Sequence, residues 1–192
     1  MTDRRDQRMK DVLAARQLDL TVILEDVWDH HNISAVLRSC DAVGIQEVFI
    51  ISPKGKKISD FGKKSSASAS KWLTIHHFSD TRECLHEVRN RYSRIFSTRL
   101  DNASTSVYNL DLTQSTALVF GNEHTGVSNI ASTLSDGNFI IPQAGMIQSL
   151  NISVACAVSL YECFRQRNES GFYRNKILTP ALFKLYEDWK KK

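Results

Sequence analysis

A repeated alternation of short apolar runs with segments of helical periodicity constrains the fold most. Two β-branched runs lie at residues 20–24 (LTVIL) and 48–51 (VFII). Residues 33–43 between them have helical apolar spacing, and Gly44 follows. A strand, a helix and a strand in this order form a βαβ unit with parallel strands. The chain therefore predicts an α/β fold in which a mostly parallel sheet carries helices on both faces.

The alternation continues along the rest of the chain. The same two patterns predict strands at residues 72–75, 95–98, 117–120 and 139–141, and helices at residues 81–92, 127–134 and 149–167. Residues 4–16 have the spacing of a short amphipathic helix. Thr179 followed by Pro180 is a typical N-cap and first turn, so we expect a final helix that extends to residue 191.

Length and composition favour one domain. A chain of 192 residues that is 42% hydrophobic can bury one sizeable core. We expect this domain at residues 18–168, with a basic helical extension at residues 1–17 and another at residues 169–192. The charged first segment does not resemble a signal peptide, and no apolar run approaches the roughly 18 residues of a membrane span. We therefore expect a soluble, cytoplasmic protein.

The cysteines argue against a metal site, and the distribution of charge indicates a class of partner. The four cysteines form no CxxC pair, so we expect reduced, packed side chains and no metal site. The formal net charge is only +4, but six lysines stand against one aspartate in residues 54–71, and eight basic residues against three acidic ones in residues 165–192. This polarity favours a polyanionic partner such as RNA, although ordinary solvated lysines explain either stretch alone equally well.

Three segments stand out as candidates for the chemistry. They are HNISAVLRSCDAVG at residues 31–44, VFGNEHTGVS at residues 119–128 and IPQAGMIQSLNISVACAVSLYE at residues 141–162. In this order they resemble the three motifs of the SpoU/TrmH branch of the SPOUT methyltransferases, and the resemblance spans about residues 18–167. The two ends of the chain look like those of the tRNA (guanosine-18) 2′-O-methyltransferases.

The resemblance implies an activity, a cofactor and an assembly. Members of this branch use S-adenosylmethionine, release S-adenosylhomocysteine, need no metal and methylate a ribose 2′-hydroxyl of RNA. The likeness at the chain ends points to guanosine 18 in the D-loop of tRNA. The resemblance also implies a C-terminal deep trefoil knot, which general folding rules disfavour, and a homodimer with the active site near its interface. The expected partners are thus tRNA and a second copy of the chain.

The first segment holds the expected catalytic centre. Asn32 lies near a strand-to-helix junction and Arg38 lies six residues later, so both can face the carboxyl edge of the sheet, where open α/β folds bind ligands. An ion pair between Arg38 and Asp41 is the purely structural alternative. The resemblance gives Arg38 the central role and Asn32 a supporting one. Because a guanidinium keeps its proton, we expect Arg38 to bind a phosphate beside the target ribose and to stabilise charge on the 2′-oxygen.

The other two segments supply the rest of the expected site. Gly121 and Gly126 permit the tight backbone path that a bound small molecule needs. Ser149 could cap the long helix that follows it or contact the substrate. By resemblance, Glu123, Ser149 and Asn151 complete the active site. The resemblance assigns the cofactor site to Thr98, Gly121, Ile141, Met146 and Leu150, the last three through their backbone.

Basic residues at both ends and in the lysine-rich stretch are the expected phosphate contacts. They are Arg5, Arg8, Arg16, Lys63, Lys64, Arg165 and Arg167. Three alternatives stay open. The methylated nucleotide could lie elsewhere in tRNA or in ribosomal RNA. A SPOUT protein that binds RNA without catalysis would have lost the polar motif residues, which are present here, and a nicotinamide enzyme would need a GxGxxG loop, which the sequence lacks.

Overall fold

The computed structural model describes residues 2–52, 69–101, 103–174 and 177–192. The strands are β1 (Leu20–Glu25), β2 (Glu47–Ile51), β3 (Thr74–Phe78), β4 (Arg94–Thr98), β5 (Thr105–Ser106), β6 (Thr116–Phe120) and β7 (Gly137–Ile140). The α-helices are α1 (Asp3–Ala14), α2 (His30–Ala42), α3 (Thr81–Arg89), α4 (Asn129–Leu134), α5 (Ile152–Glu169) and α6 (Pro180–Trp189). These elements confirm the predicted alternation, with ends that shift by at most three residues.

The described strands form a seven-stranded sheet in the order β3-β2-β1-β6-β4-β7-β5, and the paired strands run parallel. The central strands β1 and β6 are buried along their whole length because helices cover both faces of the sheet. Their apolar runs pair from Leu20 opposite Thr116 to Leu24 opposite Phe120. The predicted α/β fold with a mostly parallel sheet is confirmed. The two-residue strand β5 was not predicted, since two residues carry no periodicity.

The sheet separates two apolar cores. One core packs α2 and α5 against the face that includes Val22, and the other packs α3 and α4 against the face that includes Ile23. Successive residues of a strand point to opposite faces, so β1 contributes alternately to the two cores. The β-branched run therefore stabilises both layers of helices at once.

The four cysteines are buried free thiols, as predicted. Burial raises the pKa of the Cys84 and Cys163 thiols to about 12, so both stay protonated at neutral pH. Within the described ranges, no three His, Cys, Asp or Glu side chains cluster in a way that would bind a metal ion. In the same ranges, no helix combines the length and the apolar character of a membrane span.

The two ends of the chain pack against each other. α1 and α6 form a third, smaller apolar cluster that buries Met9, Leu13, Tyr186 and Trp189. The Tyr186 hydroxyl donates a hydrogen bond to Asp6, which joins the two helices at their polar edge. The Thr179 side chain accepts a hydrogen bond from the Leu182 amide, which confirms the predicted cap of α6. The division into a central domain and two extensions stays a prediction.

Two arginines that were predicted to contact RNA lie in the interior instead. Arg167 is 0% exposed, and its guanidinium donates to backbone carbonyls and pairs with Asp19 at 2.6 Å. Arg16 is 5% exposed, and it donates to a backbone carbonyl at 2.6 Å and pairs with Asp41. A buried guanidinium with such partners cannot reach a phosphate without losing them, which is strongly unfavourable. Arg16 and Arg167 are therefore corrected to residues that stabilise the fold.

Candidate active site

A cleft of about 560 Å³ opens at the carboxyl edge of the sheet. Its walls come from the ends of β4, β6 and β7 and from the start of α5. Because parallel strands all point their carboxyl ends to one edge, segments distant in the sequence meet here. Among its described lining residues are apolar side chains, such as Phe139, Ile141 and Leu150, and polar ones, such as Glu123 and Gln148.

A tight loop between β6 and α4 forms one wall of the cleft. The Gly126 amide donates to the Asn122 carbonyl at 2.8 Å, and Gly126 has a φ of +67°, in the left-handed region. A Cβ atom added to Gly121 would lie 2.2 Å from the Gly126 carbonyl carbon. Only glycine therefore allows the two ends of the loop to approach so closely.

Three side chains from the three segments form one chain of hydrogen bonds beside this loop. The Asn32 amide donates to Glu123 Oε1 at 2.7 Å, and the Asn151 amide donates to Asn32 Oδ1 at 3.1 Å. Asn151 Oδ1 in turn accepts from the Ser153 amide at 2.8 Å and so caps α5. Each amide in the chain both donates and accepts, which fixes its orientation.

The β1–α2 loop is bonded to the β6–α4 loop by a second contact. The Asn122 side chain donates to the Asp26 carbonyl at 2.9 Å. Asp26 has a φ of 54°, which is uncommon for a residue other than glycine, and its amide donates to the Ile51 carbonyl at 3.0 Å. These bonds hold Asp26 in a strained backbone conformation and so set the direction in which the chain enters α2.

A buried carboxylate, that of Glu25, fixes the far end of the β6–α4 loop. Glu25 is 4% exposed, and it accepts hydrogen bonds from the Thr81 hydroxyl at 2.8 Å and from the Ser128 hydroxyl at 2.7 Å. Its second oxygen accepts from the Ser128 amide at 2.8 Å. Since Ser128 also caps α4, Glu25 joins the end of β1 to the starts of two helices.

The structure brings together three of the five predicted catalytic residues, namely Asn32, Glu123 and Asn151. Ser149 lines the cleft but does not cap α5, because Asn151 takes that role. Arg38 is exposed on α2, outside the cleft lining and about 9 Å beyond Asn32 along the helix axis. Whether these residues act in catalysis stays a prediction at this point.

Four of the five predicted cofactor residues line the cleft, namely Thr98, Gly121, Ile141 and Leu150. The Thr98 hydroxyl donates to the Val119 carbonyl at 3.2 Å, which ties the end of β4 to β6. Met146 is 100% exposed and is not among the lining residues, so the structure does not place its side chain in the cleft.

The predicted phosphate contacts are distributed over several surfaces. Arg5 and Arg8 are exposed on α1. Arg165 is exposed on α5, where it forms ion pairs with Glu162 and Glu169, both at 2.8 Å. Lys63 and Lys64 lie outside the described residues.

Sequence reasoning missed several residues that build the site. Glu25 ends an apolar run with a carboxylate, which is a signal for a buried polar contact. Asp29 precedes α2 and caps it by accepting from the His31 amide at 2.8 Å, as its residue type allows. For Asn122 and Asp26, no pattern in the sequence indicated the bond between their loops.

Comparison with known proteins gives concordant matches along the chain. The model of the SpoU rRNA Methylase family matches residues 19–161. A tRNA (guanosine(18)-2'-O)-methyltransferase of Thermus thermophilus is 41% identical over 192 residues, which are 100% of this chain and 98% of the relative. The protein of that name from Escherichia coli is 36% identical over 183 residues, which are 94% of this chain and 79% of the relative.

Solved structures match as well. The crystal structure of the Aquifex aeolicus TrmH/SpoU tRNA modifying enzyme has a TM-score of 0.91 and 36% identity, and the match covers 98% of this chain and 96% of the other. The SpoU methyltransferase AviRb of Streptomyces viridochromogenes, in complex with the cofactor AdoMet, has a TM-score of 0.72 and 29% identity over 83% of this chain and 64% of the other.

The close approach of Gly121 to Gly126 in the β6–α4 loop can be tested by one substitution. We expect Gly121→Ala to lower the free energy of unfolding in urea by about 1–3 kcal/mol, because the new methyl group forces the loop apart. Gly145→Ala is the matched control, since an added Cβ there meets no atom within 4 Å, and we expect a change below about 0.5 kcal/mol. Wild-type stability of the Gly121 variant would contradict the close approach.

Proposed function

Because this chain belongs to the SpoU methylase family, we propose that it transfers a methyl group from S-adenosylmethionine to the ribose 2′-hydroxyl of guanosine 18 in the D-loop of tRNA. One observation supports this proposal most. Asn32, Glu123 and Asn151, each from a different motif, meet in one hydrogen-bonded chain at the edge of the cleft. The full-length relatives named for this reaction support the choice of nucleotide.

The cleft has the size and chemistry that S-adenosylmethionine needs. Its volume of about 560 Å³ lies within the range of about 300–1,000 Å³ that small-molecule sites have. Ile141 and Leu150 offer an apolar wall for adenine, and Gly121 exposes backbone that a ligand can approach. The Glu123 carboxylate attracts a cationic sulfonium. When bound, the cofactor supplies an electrophilic methyl carbon attached to positively charged sulfur.

In the proposed reaction, some residues of the chain would position the reacting groups and others would stabilise charge. Asn32 and Asn151 hold Glu123 and each other in fixed orientations, so the polar groups are organised before substrate arrives. Ser149 lines the same cleft and can contact the substrate or cofactor. Arg38 would bind the phosphate next to the target ribose and stabilise negative charge on the 2′-oxygen. Since a guanidinium keeps its proton, the hydroxyl proton would pass to a phosphate oxygen or to water.

The bound tRNA would contact basic residues near the two ends of the chain. Arg5 and Arg8 on α1 are exposed and available for phosphates. Arg165 on α5 is exposed too, but it would have to exchange its ion pairs with Glu162 and Glu169 for a phosphate. α6 lies against α1 and adds Lys184 and Lys190 on exposed positions. As a tRNA-modifying enzyme, the protein would act in the cytoplasm.

Transfer of labelled methyl to tRNA tests the proposal. We expect wild-type protein to label an unmodified transcript, and not one whose guanosine 18 carries a 2′-deoxyribose. Arg38→Ala should lower the rate by about 10²-fold or more, because it removes a group that stabilises developing charge. Arg82→Ala, which changes an exposed arginine on α3, is the matched control and should keep the rate.

Other outcomes of this assay would contradict the assignment. Label on ribosomal RNA but not on tRNA would show that the substrate is ribosomal RNA instead of tRNA. RNA binding without label on either would favour a protein that keeps the SPOUT fold without catalysis.

We also propose a homodimer that forms across the outer face of α5. Val154 is 47% and Tyr161 55% exposed, and they lie on one side of α5 because seven residues make about two helical turns. Met146 and Ile147, in the segment before α5, are exposed too. Exposed apolar side chains grouped in this way are typical of an interface between subunits. The deep trefoil knot stays a prediction from the family resemblance.

The dimer proposal is tested by placing a charge on this face. We expect Tyr161→Arg to give a monomer in size-exclusion chromatography with light scattering, because a desolvated arginine opposes association. Phe183→Arg on α6 is the matched control, with a side chain that is 53% exposed but lies on another helix, and it should stay dimeric. A monomeric wild-type protein, or a dimeric Tyr161 variant, would contradict the proposal.

A further inference from the structure

The cleft contains two oppositely charged side chains. Among its described lining residues, Arg99 is the one lysine or arginine and Glu123 is the one aspartate or glutamate. Opposite charges attract at short range in a partly enclosed site. A ligand that carries both signs of charge is therefore oriented by this pair.

The strand order separates the two charges across the cleft. Glu123 follows β6 and bonds to Asn32, which follows β1 on one side of β6. Arg99 directly follows β4 on the other side of β6, and its amide donates to the Phe139 carbonyl of β7 at 3.1 Å. Neighbouring strands lie about 4.8 Å apart, so β1 and β4 are separated by roughly 10 Å. The negative charge thus lies toward the proposed catalytic residues and the positive charge lies away from them.

The Arg99 side chain is held at the cleft wall. Its Nη1 donates to Asn129 Oδ1 at 3.1 Å, and its Nε forms an ion pair with Asp101 Oδ2 at 3.6 Å, a separation longer than a hydrogen bond. The side chain is 39% exposed. Its second terminal nitrogen, Nη2, carries two more N–H groups, and guanidinium groups bind carboxylates through such paired donors. Arg99 is thus a preoriented cation at the end of β4.

We propose that Arg99 binds the carboxylate of the amino-acid part of the cofactor. This inference rests on the proposed function, since it requires S-adenosylmethionine in the cleft. With its carboxylate on Arg99, the cofactor directs its sulfonium toward Glu123 and Asn32, the side from which the ribose hydroxyl approaches. Arg99 is then a specificity residue that distinguishes the complete cofactor from adenosine derivatives without a carboxylate.

Two ligands that differ only in this carboxylate provide the test. S-adenosylhomocysteine keeps the carboxylate, and S-adenosyl-3-thiopropylamine is the same molecule without it. We expect wild-type protein to bind S-adenosylhomocysteine roughly ten- to hundred-fold more tightly in isothermal titration calorimetry, as for one charge-assisted hydrogen-bonded pair. Arg99→Gln should bind the two ligands equally, because it loses affinity for S-adenosylhomocysteine alone. Arg99→Lys should restore part of the difference.

Arg94→Gln is the matched control, since it removes a positive charge from the amino end of the same strand. It should keep the wild-type preference for S-adenosylhomocysteine. If Arg99→Gln weakens both ligands by the same factor, Arg99 only shapes the cleft and the inference is wrong. It is also wrong if Arg99→Gln leaves both affinities unchanged. A wild-type protein that binds neither ligand would overturn the proposed function itself.

Discussion

Two loops that leave neighbouring central strands are bonded to each other, and the candidate site depends on these bonds. β1 and β6 lie side by side, so the Asn122 amide reaches the Asp26 carbonyl and the Asn32 amide reaches Glu123. A further set of bonds joins Glu25 to the N-cap of α4. The end of β1 and the start of α2 therefore hold the β6–α4 loop at two neighbouring residues near its beginning and at its end. The close approach of Gly121 and Gly126 lies within the same loop.

The polar chain and the exposed arginine have different tasks in the proposed reaction. Asn32, Glu123 and Asn151 are oriented by one another, so little reorganisation is needed when charge develops. Arg38 is exposed, and in the proposed reaction it would present its charge to an RNA phosphate. Asn151 caps α5, whose outer face carries the exposed Tyr161. The proposed dimer interface thus lies on the same helix whose first turn completes the site.

Much of the fold could be predicted because the runs at β1 and β6 have the length and the β-branched composition of buried strands. The meeting of the three motifs was indicated by family resemblance, since spacing alone does not show that residues 91 and 119 positions apart meet. Helical periodicity could not show that Arg167 points inward, because the same spacing suits an exposed arginine. Ser149 and Asn151 are both good N-cap types two positions apart, so only backbone geometry decides between them. The bond to Asp26 depends on a left-handed backbone that no sequence pattern indicated.

A double-mutant cycle on the Asn32–Glu123 pair, measured as methyl transfer to tRNA, would show whether the two segments act together in the reaction. We expect Asn32→Ala and Glu123→Ala each to lower the rate. The double variant should lose little more than either single variant, because both substitutions break the same hydrogen bond. A control pair, Asn32→Ala with Arg82→Ala, should be additive. Additive losses in the Asn32–Glu123 cycle would contradict the claim that the two loops act as one unit in the reaction.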